Sequence, residues 1–392
     1  MAGLLRRRTT ARRRPDCGRT EVLAAHTSGG PQEVAMTLAP PSPLTRTQTL
    51  ERARGQGLRI LAALPYHYPR ALVRAHGFHP MEVWAPASAS PDSGAAHFQA
   101  YACSIVTRGA AFLLQEGFER VDAVLVPHGC DALQGLGSVL QDFIAERPPV
   151  LTLYAPRTRR PVDLAYLVAE YQRLGESLVA AGGRVPTPED WAQAFEVEDA
   201  ADAALRDLYA RRHTMRDGEF YALVRAREYL LPEDYVALLA DAPTGSPATG
   251  IPLVLAGISA EPQVLDAINE AGAHVVADDL STGSRRILPA IEDEDPWRRL
   301  ARAYLAGPVD PTRADPLPSR VARLRDLVAD SGAAGVLAVA PTFCEPEQFY
   351  LPTLRKHLGV PFLYLEREGG ADLDGQTVGR IEAFVETVEG AL

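Results

Sequence analysis

Two stretches far apart in the chain are written to the same pattern. Ala123-Val124-Leu125-Val126-Pro127 leads through His128-Gly129 to Cys130-Asp131, and Val336-Leu337-Ala338-Val339-Ala340-Pro341 leads through Thr342-Phe343 to Cys344-Glu345. Each is a continuous apolar run, a break, a cysteine, an acid and an amphipathic stretch. Continuous hydrophobicity marks a strand buried on both faces, as in a parallel sheet covered by helices. The pattern therefore constrains the chain to an α/β fold, with each cysteine between the carboxyl end of a strand and a helix start. That edge of an open sheet is where such folds bind ligands. A helix N-terminus also favours the thiolate, the form of cysteine that binds metal. Cys103, in Tyr101-Ala102-Cys103-Ser104, opens a third helical run. Three convergent thiolates would suit an iron–sulfur cluster. No Cys-x-x-Cys spacing occurs, so spacing alone leaves open whether the three are ligands or small buried hydrophobes; the matched context at Cys130 and Cys344 favours a ligand pair.

The remaining periodicity divides the chain into four parts. Residues 1–45 read as a disordered tail or a miscalled start, with Met36 as the working start. Arg6-Arg7-Arg8 and Arg12-Arg13-Arg14 precede no apolar region of the kind an export signal needs. Cys17 lies in this tail and is left outside the ligand set. Residues 46–160 alternate strands (58–64, 78–84, 121–126, 150–154) with helices (70–76, 103–116, 133–144) and predict an N-terminal α/β domain. Residues 161–243 carry long helical periods and predict a helical connector, ended by the linker Thr244–Gly250. Residues 250–392 restart the rhythm as a C-terminal α/β domain. Its strands are expected at 252–256, 274–277, 336–340 and 361–366, and its helices at 261–271, 321–331, 347–358 and 375–388. The fold class expected is two open parallel-sheet domains, flavodoxin- or Rossmann-like, with any cluster in the cleft between them.

A net charge of −10 leaves no basic face for general nucleic-acid binding. No apolar run reaches the length needed to span a bilayer. Four cysteines in 392 residues do not make a disulfide scaffold, and they fit a reducing, cytoplasmic setting. Lys356 is the sole lysine, a compositional bias without functional content.

Several motifs, in order along residues 58–392, resemble the 2-hydroxyacyl-CoA dehydratase and benzoyl-CoA reductase family. His128-Gly129-Cys130-Asp131-Ala132-Leu133 is similar to its second-cysteine motif. Cys344-Glu345-Pro346-Glu347 is similar to the third, where Asp is usual in place of Glu345. Gly272-Ala273-His274-Val275-Val276-Ala277-Asp278-Asp279-Leu280, with Thr282-Gly283-Ser284-Arg285, resembles a further signature. So do Gly375-Gln376-Thr377-Val378 with Arg380–Phe384, and Pro69-Arg70-Ala71-Leu72 with His76-Gly77. The resemblance implies one [4Fe–4S] cluster held by Cys103, Cys130 and Cys344, its fourth iron open to water, hydroxide or a thioester carbonyl. It also implies an acyl-CoA substrate, a homologous second subunit in a heterodimer, and an ATP-dependent activator iron–sulfur protein that delivers one electron. The implied reaction is reduction of the thioester to a ketyl radical, followed by dehydration (a lyase) or ring reduction (an oxidoreductase). Arg70 and Ala71 depart from the family pattern, which carries Glu there. Ser281 stands where Cys is expected in a number of relatives.

Other residues invite a role beside an ordinary structural one. The Ser281-Thr282-Gly283-Ser284-Arg285 loop follows a strand and reads as an anion cradle for a CoA phosphate, or as a capped turn. Tyr66 and His67, with Tyr68, stand where substrate contact is expected, or pack. His128 could donate a hydrogen bond to a cluster sulfide, or be structural. Arg157, Arg159 and Arg160 would attract an anionic tail, or be solvated. Two alternatives to a catalytic subunit stay open: an electron-relay partner of a catalytic paralogue, and a metal-free α/β binding protein.

Overall fold

The computed structural model describes residues 43–85, 92–145, 147–242, 249–368 and 372–392. Nearly all of the expected tail, with Cys17, and most of the Thr244–Gly250 linker lie outside them. The elements α1 (Arg46–Gly55), β1 (Arg59–Ala63), α2 (Arg70–Ala75), β2 (Phe78–Glu82), α3 (Asp92–Ala95), α4 (Ser104–Phe112), β3 (Ala123–Pro127), α5 (Asp131–Asp142) and β4 (Val150–Leu153) come first. Four helices follow: α6 (Pro161–Ala180), α7 (Pro188–Ala210), α8 (Asp217–Ala226) and α9 (Pro232–Ala240). The rhythm then resumes with β5 (Ile251–Gly257), α10 (Pro262–Glu270), β6 (Ala273–Leu280), α11 (Pro296–Leu305), α12 (Leu317–Ser331) and β7 (Gly335–Pro341). It closes with α13 (Glu345–Gln348), α14 (Leu351–His357), β8 (Phe362–Arg367) and α15 (Gly375–Glu389).

The strands form two four-stranded sheets of identical topology, β2-β1-β3-β4 and β6-β5-β7-β8, with every pairing parallel. In each, the chain leaves the first strand to one side and returns to the other. The connections after β1 and β3, and after β5 and β7, therefore diverge and open a crevice at the carboxyl edge. Cys130 follows β3 and Cys344 follows β7, so the matched sequence pattern marks equivalent positions in two equivalent sheets.

Alternation along the strands assigns each sheet face to its helices. Leu61, Ala63, Leu125 and Leu153 pack on Leu167, Tyr171 and Leu174 of α6 and Tyr304 of α11. Ala62, Leu64, Val124 and Val126 face Val106 of α4 and Leu133, Leu136 and Leu140 of α5. In the second sheet Leu253, Leu255, Leu337 and Val339 meet α8, α10 and α15, while Val254, Val336, Ala338 and Ala340 meet α12 and α14. Each enclosed Leu, Ile or Val side chain contributes about 1.5–3 kcal/mol by burial. At the end of β5, Gly257 (φ 118°) passes so near the Val339 carbonyl of β7 that a Cβ would collide with it.

Several elements differ from expectation, among them the short α3, which is not anticipated. The helix expected over 347–358 is two, α13 and α14, because Pro346 and Pro352 each start a new helical turn without an N–H to continue the previous one. Neither α1 nor α11 is anticipated: α1 is almost wholly polar, whereas α11 carries Trp297, Leu300, Ala301, Tyr304 and Leu305 at helical spacing, a readable signal. Their caps were readable: Thr45 and Gln48 form a capping box on α1, and Asp295 before Pro296 caps α11.

Candidate functional site

The three cysteines share one region of the molecule. Cys103 and Cys130 are the N-cap residues of α4 and α5, and Cys344 occupies the same position on the single turn of α13. Backbone N–H groups of Ile105 and Val106 approach the Cys103 sulfur, those of Ala132 and Leu133 approach Cys130, and that of Glu347 approaches Cys344. The thiols lie near enough to act on one another: a charge on Cys103 opposes ionisation of both others, and one on Cys130 opposes that of Cys344. Cys103 and Cys344 are buried, while Cys130 is half-buried and opens onto a surface depression of about 400 Å³ lined by Gly129, Asp131, Pro311, Glu345 and Phe349.

Helix N-termini do not by themselves make these cysteines thiolates. Burial pushes all three thiols up, Cys130 to about 11, and each has an acidic neighbour that adds to the effect: Glu368 for Cys103, Asp131 for Cys130, Glu347 for Cys344. The backbone N–H groups only partly offset desolvation. A bound cationic centre would offset that cost and favour ionised sulfurs. Three soft sulfur donors in a largely apolar surround match the preference of an iron–sulfur cluster. Among the described residues no group of three or more His, Cys, Asp or Glu side chains is arranged to hold a metal ion.

Beside the thiols lies a cavity of about 140 Å³. Its walls are the turn after β1 (Tyr66–Ala71), Phe195 and Glu198 of α7, Thr282-Gly283 after β6, Arg286, and Tyr304 of α11. Tyr66 joins the two features. A Cβ on Gly129 would collide with the Tyr66 ring, so the loop carrying Cys130 is packed directly on the residue that lines the cavity. Sequence reasoning missed Glu82, the last residue of β2, which is 2% exposed in the cavity wall. Its Oε1 accepts from Arg70 at 2.7 Å and Arg286 at 2.6 Å, and these guanidiniums hold it below the usual carboxylate range despite burial. The departure at Arg70 thus has a partner. The readable signal was an acid closing an otherwise buried strand.

The backbone donors of the loop after β6 are engaged within the protein. The N–H groups of Ser281, Thr282, Gly283 and Ser284 donate to Gly257 O, Ile258 O, Leu280 O and Asp278 Oδ1. Arg285 is fully buried, bonded to Ser281 Oγ (3.0 Å), Glu347 Oε1 (2.8 Å) and Asp279 Oδ2 (3.1 Å), with Asp310 at 3.7 Å. Its charge is compensated inside the protein, so of these five residues only Thr282 and Gly283 face the cavity. His128 packs edge-on to Tyr154 with ring centroids 4.2 Å apart, and neither ring nitrogen has a hydrogen-bond partner among the described residues. Arg157, Arg159 and Arg160 are paired with Asp131, Asp315 and Asp163.

Fold and site together define a two-sheet α/β protein with cysteines at matched sheet edges beside a polar cavity. The 2-hydroxyglutaryl-CoA dehydratase, D-component, family matches residues 65–388, and the chain belongs to it. It is 25% identical over 360 residues to the (R)-2-hydroxyglutaryl-CoA dehydratase subunit beta of Acidaminococcus fermentans, covering 86% of this chain and 95% of that one. It is 24% identical to the lactoyl-CoA dehydratase subunit beta of Anaerotignum propionicum (84% and 92% covered). It is also 22% identical to one of the subunits of benzoyl-CoA reductase from Thauera aromatica (79% and 86% covered). These relatives are subunits of lyases and oxidoreductases. Likeness to solved structures is slight: the periplasmic zinc-binding protein TroA of Treponema pallidum gives a TM-score of 0.23 at 12% identity, covering 86% of this chain and 99% of that one. No described helix is long and apolar enough to cross a membrane.

Proposed function

We propose that this chain is a [4Fe–4S] subunit of an enzyme that activates an acyl-CoA thioester by one-electron reduction to a ketyl radical, followed by dehydration or ring reduction. The observation that carries this reading is the convergence of Cys103, Cys130 and Cys344, within a family whose named members act on acyl-CoA thioesters. When bound, the cluster supplies a low-potential electron and an iron position left open by three protein ligands. Two ligands come from residues 46–160 and one from residues 250–392, two α/β domains joined by the helices of 161–243, with the cluster in the cleft between them. The half-buried Cys130 places the site within reach of the surface.

The cavity is the substrate's place. Tyr66 and His67, with Thr282 and Gly283, contact the acyl group, while Glu82, bonded to both Arg70 and Arg286, offsets one of their two positive charges in the wall. The partner is a homologous subunit in a heterodimer, and a cytoplasmic ATP-dependent activator iron–sulfur protein supplies the electron. The test is turnover by this chain, purified anaerobically together with its partner and given a low-potential one-electron donor. A 2-hydroxyacyl-CoA should lose water, or an aromatic acyl-CoA gain ring hydrogen. An iron-replete complex that neither binds nor converts any acyl-CoA would contradict the reading.

A further inference from the structure

His67 occupies the first-sheet crevice, immediately after the divergence of β1 and β3, and three features of its setting point to chemistry. Its Nε2 lies 3.3 Å from Asp310 Oδ2, and its ring meets Tyr66 and Tyr304 edge-on at 5.4 and 6.1 Å. The other ring nitrogen makes no hydrogen bond within the described chain and is not enclosed, and the residue lines the cavity. Asp310, for its part, is held rigidly. It is 1% exposed, its Oδ1 accepts from the Thr312 N–H (2.9 Å) and Oγ (2.6 Å), and Arg285 stands 3.7 Å away. Arg285 first, then His67, keeps it ionised despite burial. A fixed carboxylate on one imidazole nitrogen sets the tautomer and ring orientation and presents the other nitrogen for proton transfer. Finally, Tyr304, 3% exposed on the same cavity wall, has its hydroxyl enclosed beside that of Tyr66.

The geometry points to His67, held by Asp310, as the catalytic residue that carries the proton in dehydration of a 2-hydroxyacyl thioester. The inference rests on the functional reading above and adds the group that moves the proton. His67 takes the proton from C3 and returns it to the hydroxide that leaves C2. One C–H and one C–O bond break, one C=C bond and one O–H bond form, and water departs. The electron that activates the thioester goes back to its one-electron donor, so the substrate is neither oxidised nor reduced overall. Asp310 acts through His67 and is a positioning residue.

The experiment uses the complete complex reduced by titanium(III) citrate, with a 2-hydroxyacyl-CoA as substrate. His67→Ala should lower kcat by about 10²–10⁴-fold, leave KM within about threefold and the iron content unchanged, and regain activity when imidazole is added. When the unsaturated product is incubated in deuterium oxide, wild type should place deuterium at C3 and His67→Ala should not. A His67→Ala complex with full iron that turns over within about threefold of wild type would overturn the assignment alone. A wild-type complex with full iron and no acyl-CoA turnover would overturn the functional reading and the assignment together.

Discussion

The loops after β3 and β7 start from the same sequence pattern and the same topological position, yet they hold their cysteines by different means. Cys130 caps α5, a helix of 12 residues, and its loop is fixed by contact: Gly129 lies directly against the Tyr66 ring. Cys344 caps a single turn of four residues, and Phe343 before it adopts the left-handed φ of 63° that non-glycine residues avoid. What secures that turn is charge. Glu347, 3% exposed, is bonded to Arg285 at 2.8 Å and to Arg320 at 3.4 Å; Arg285 and Arg320 both also reach Asp279, which takes a further bond from Arg323 at 2.6 Å. One fold element can thus be anchored by shape or by a buried ionic network. The first tolerates loss of charge, the second tolerates changes of packing.

The largest expected effect is therefore in the second loop. Arg285→Met fills similar space but leaves the carboxylates of Asp279, Glu347 and Asp310 short of one buried positive charge. Removing one partner of a buried ion pair costs about 3–5 kcal/mol. Denaturant unfolding should show a loss of that order; a change below about 1 kcal/mol would mean that the network does not secure the turn. In the first loop, Gly129→Ala drives a methyl into Tyr66 and should destabilise by about 1–3 kcal/mol. It should also alter acyl-CoA affinity, because the displaced ring lines the cavity; calorimetric binding equal to wild type would break the proposed link between loop and cavity.

The smallest effect is a difference in acid sensitivity. His79, on β2 of the first sheet, is buried with Nε2 bonded to Tyr229 O at 2.8 Å, and burial holds its imidazole down at about 4 from an ordinary 6.5. Between those values the unfolded chain binds one more proton than the folded one, so stability falls as pH drops from 6.5 toward 4. Asp310, held below its ordinary 3.8, gives way only at lower pH. Melting temperature across this window should fall for wild type and flatten in His79→Gln. An equal slope in both would place the acid sensitivity elsewhere.

The sheets were legible because a strand buried on both faces has to be continuously apolar, and Val336–Ala340 or Val124–Val126 can satisfy nothing else. The position of each cysteine relative to its strand followed from the break after the run. Sparse apolar content hid α1 behind a readable cap, α11 was legible in both its cap and its apolar spacing though not anticipated, and prolines divided the expected helix at 347–358. The charged parts of the site were not legible. Arg285 reads as an open anion contact until Glu347 and Asp310, distant in sequence, close around it, and Glu82 gains meaning only when Arg70 and Arg286 meet it. Pairings of this kind are set by the topology that brings two sheet edges together, and no local pattern records them.

The most direct test of the account is iron and acid-labile sulfide, with the visible spectrum, in anaerobically purified wild-type, Cys130→Ala and Cys344→Ala proteins. The account predicts about four irons and four sulfides per wild-type chain and a sharp loss in both variants, one from each sheet. Iron-free wild type from strictly anaerobic preparations, or variants that keep the full complement, would contradict the claim that the two matched loops jointly hold the cluster.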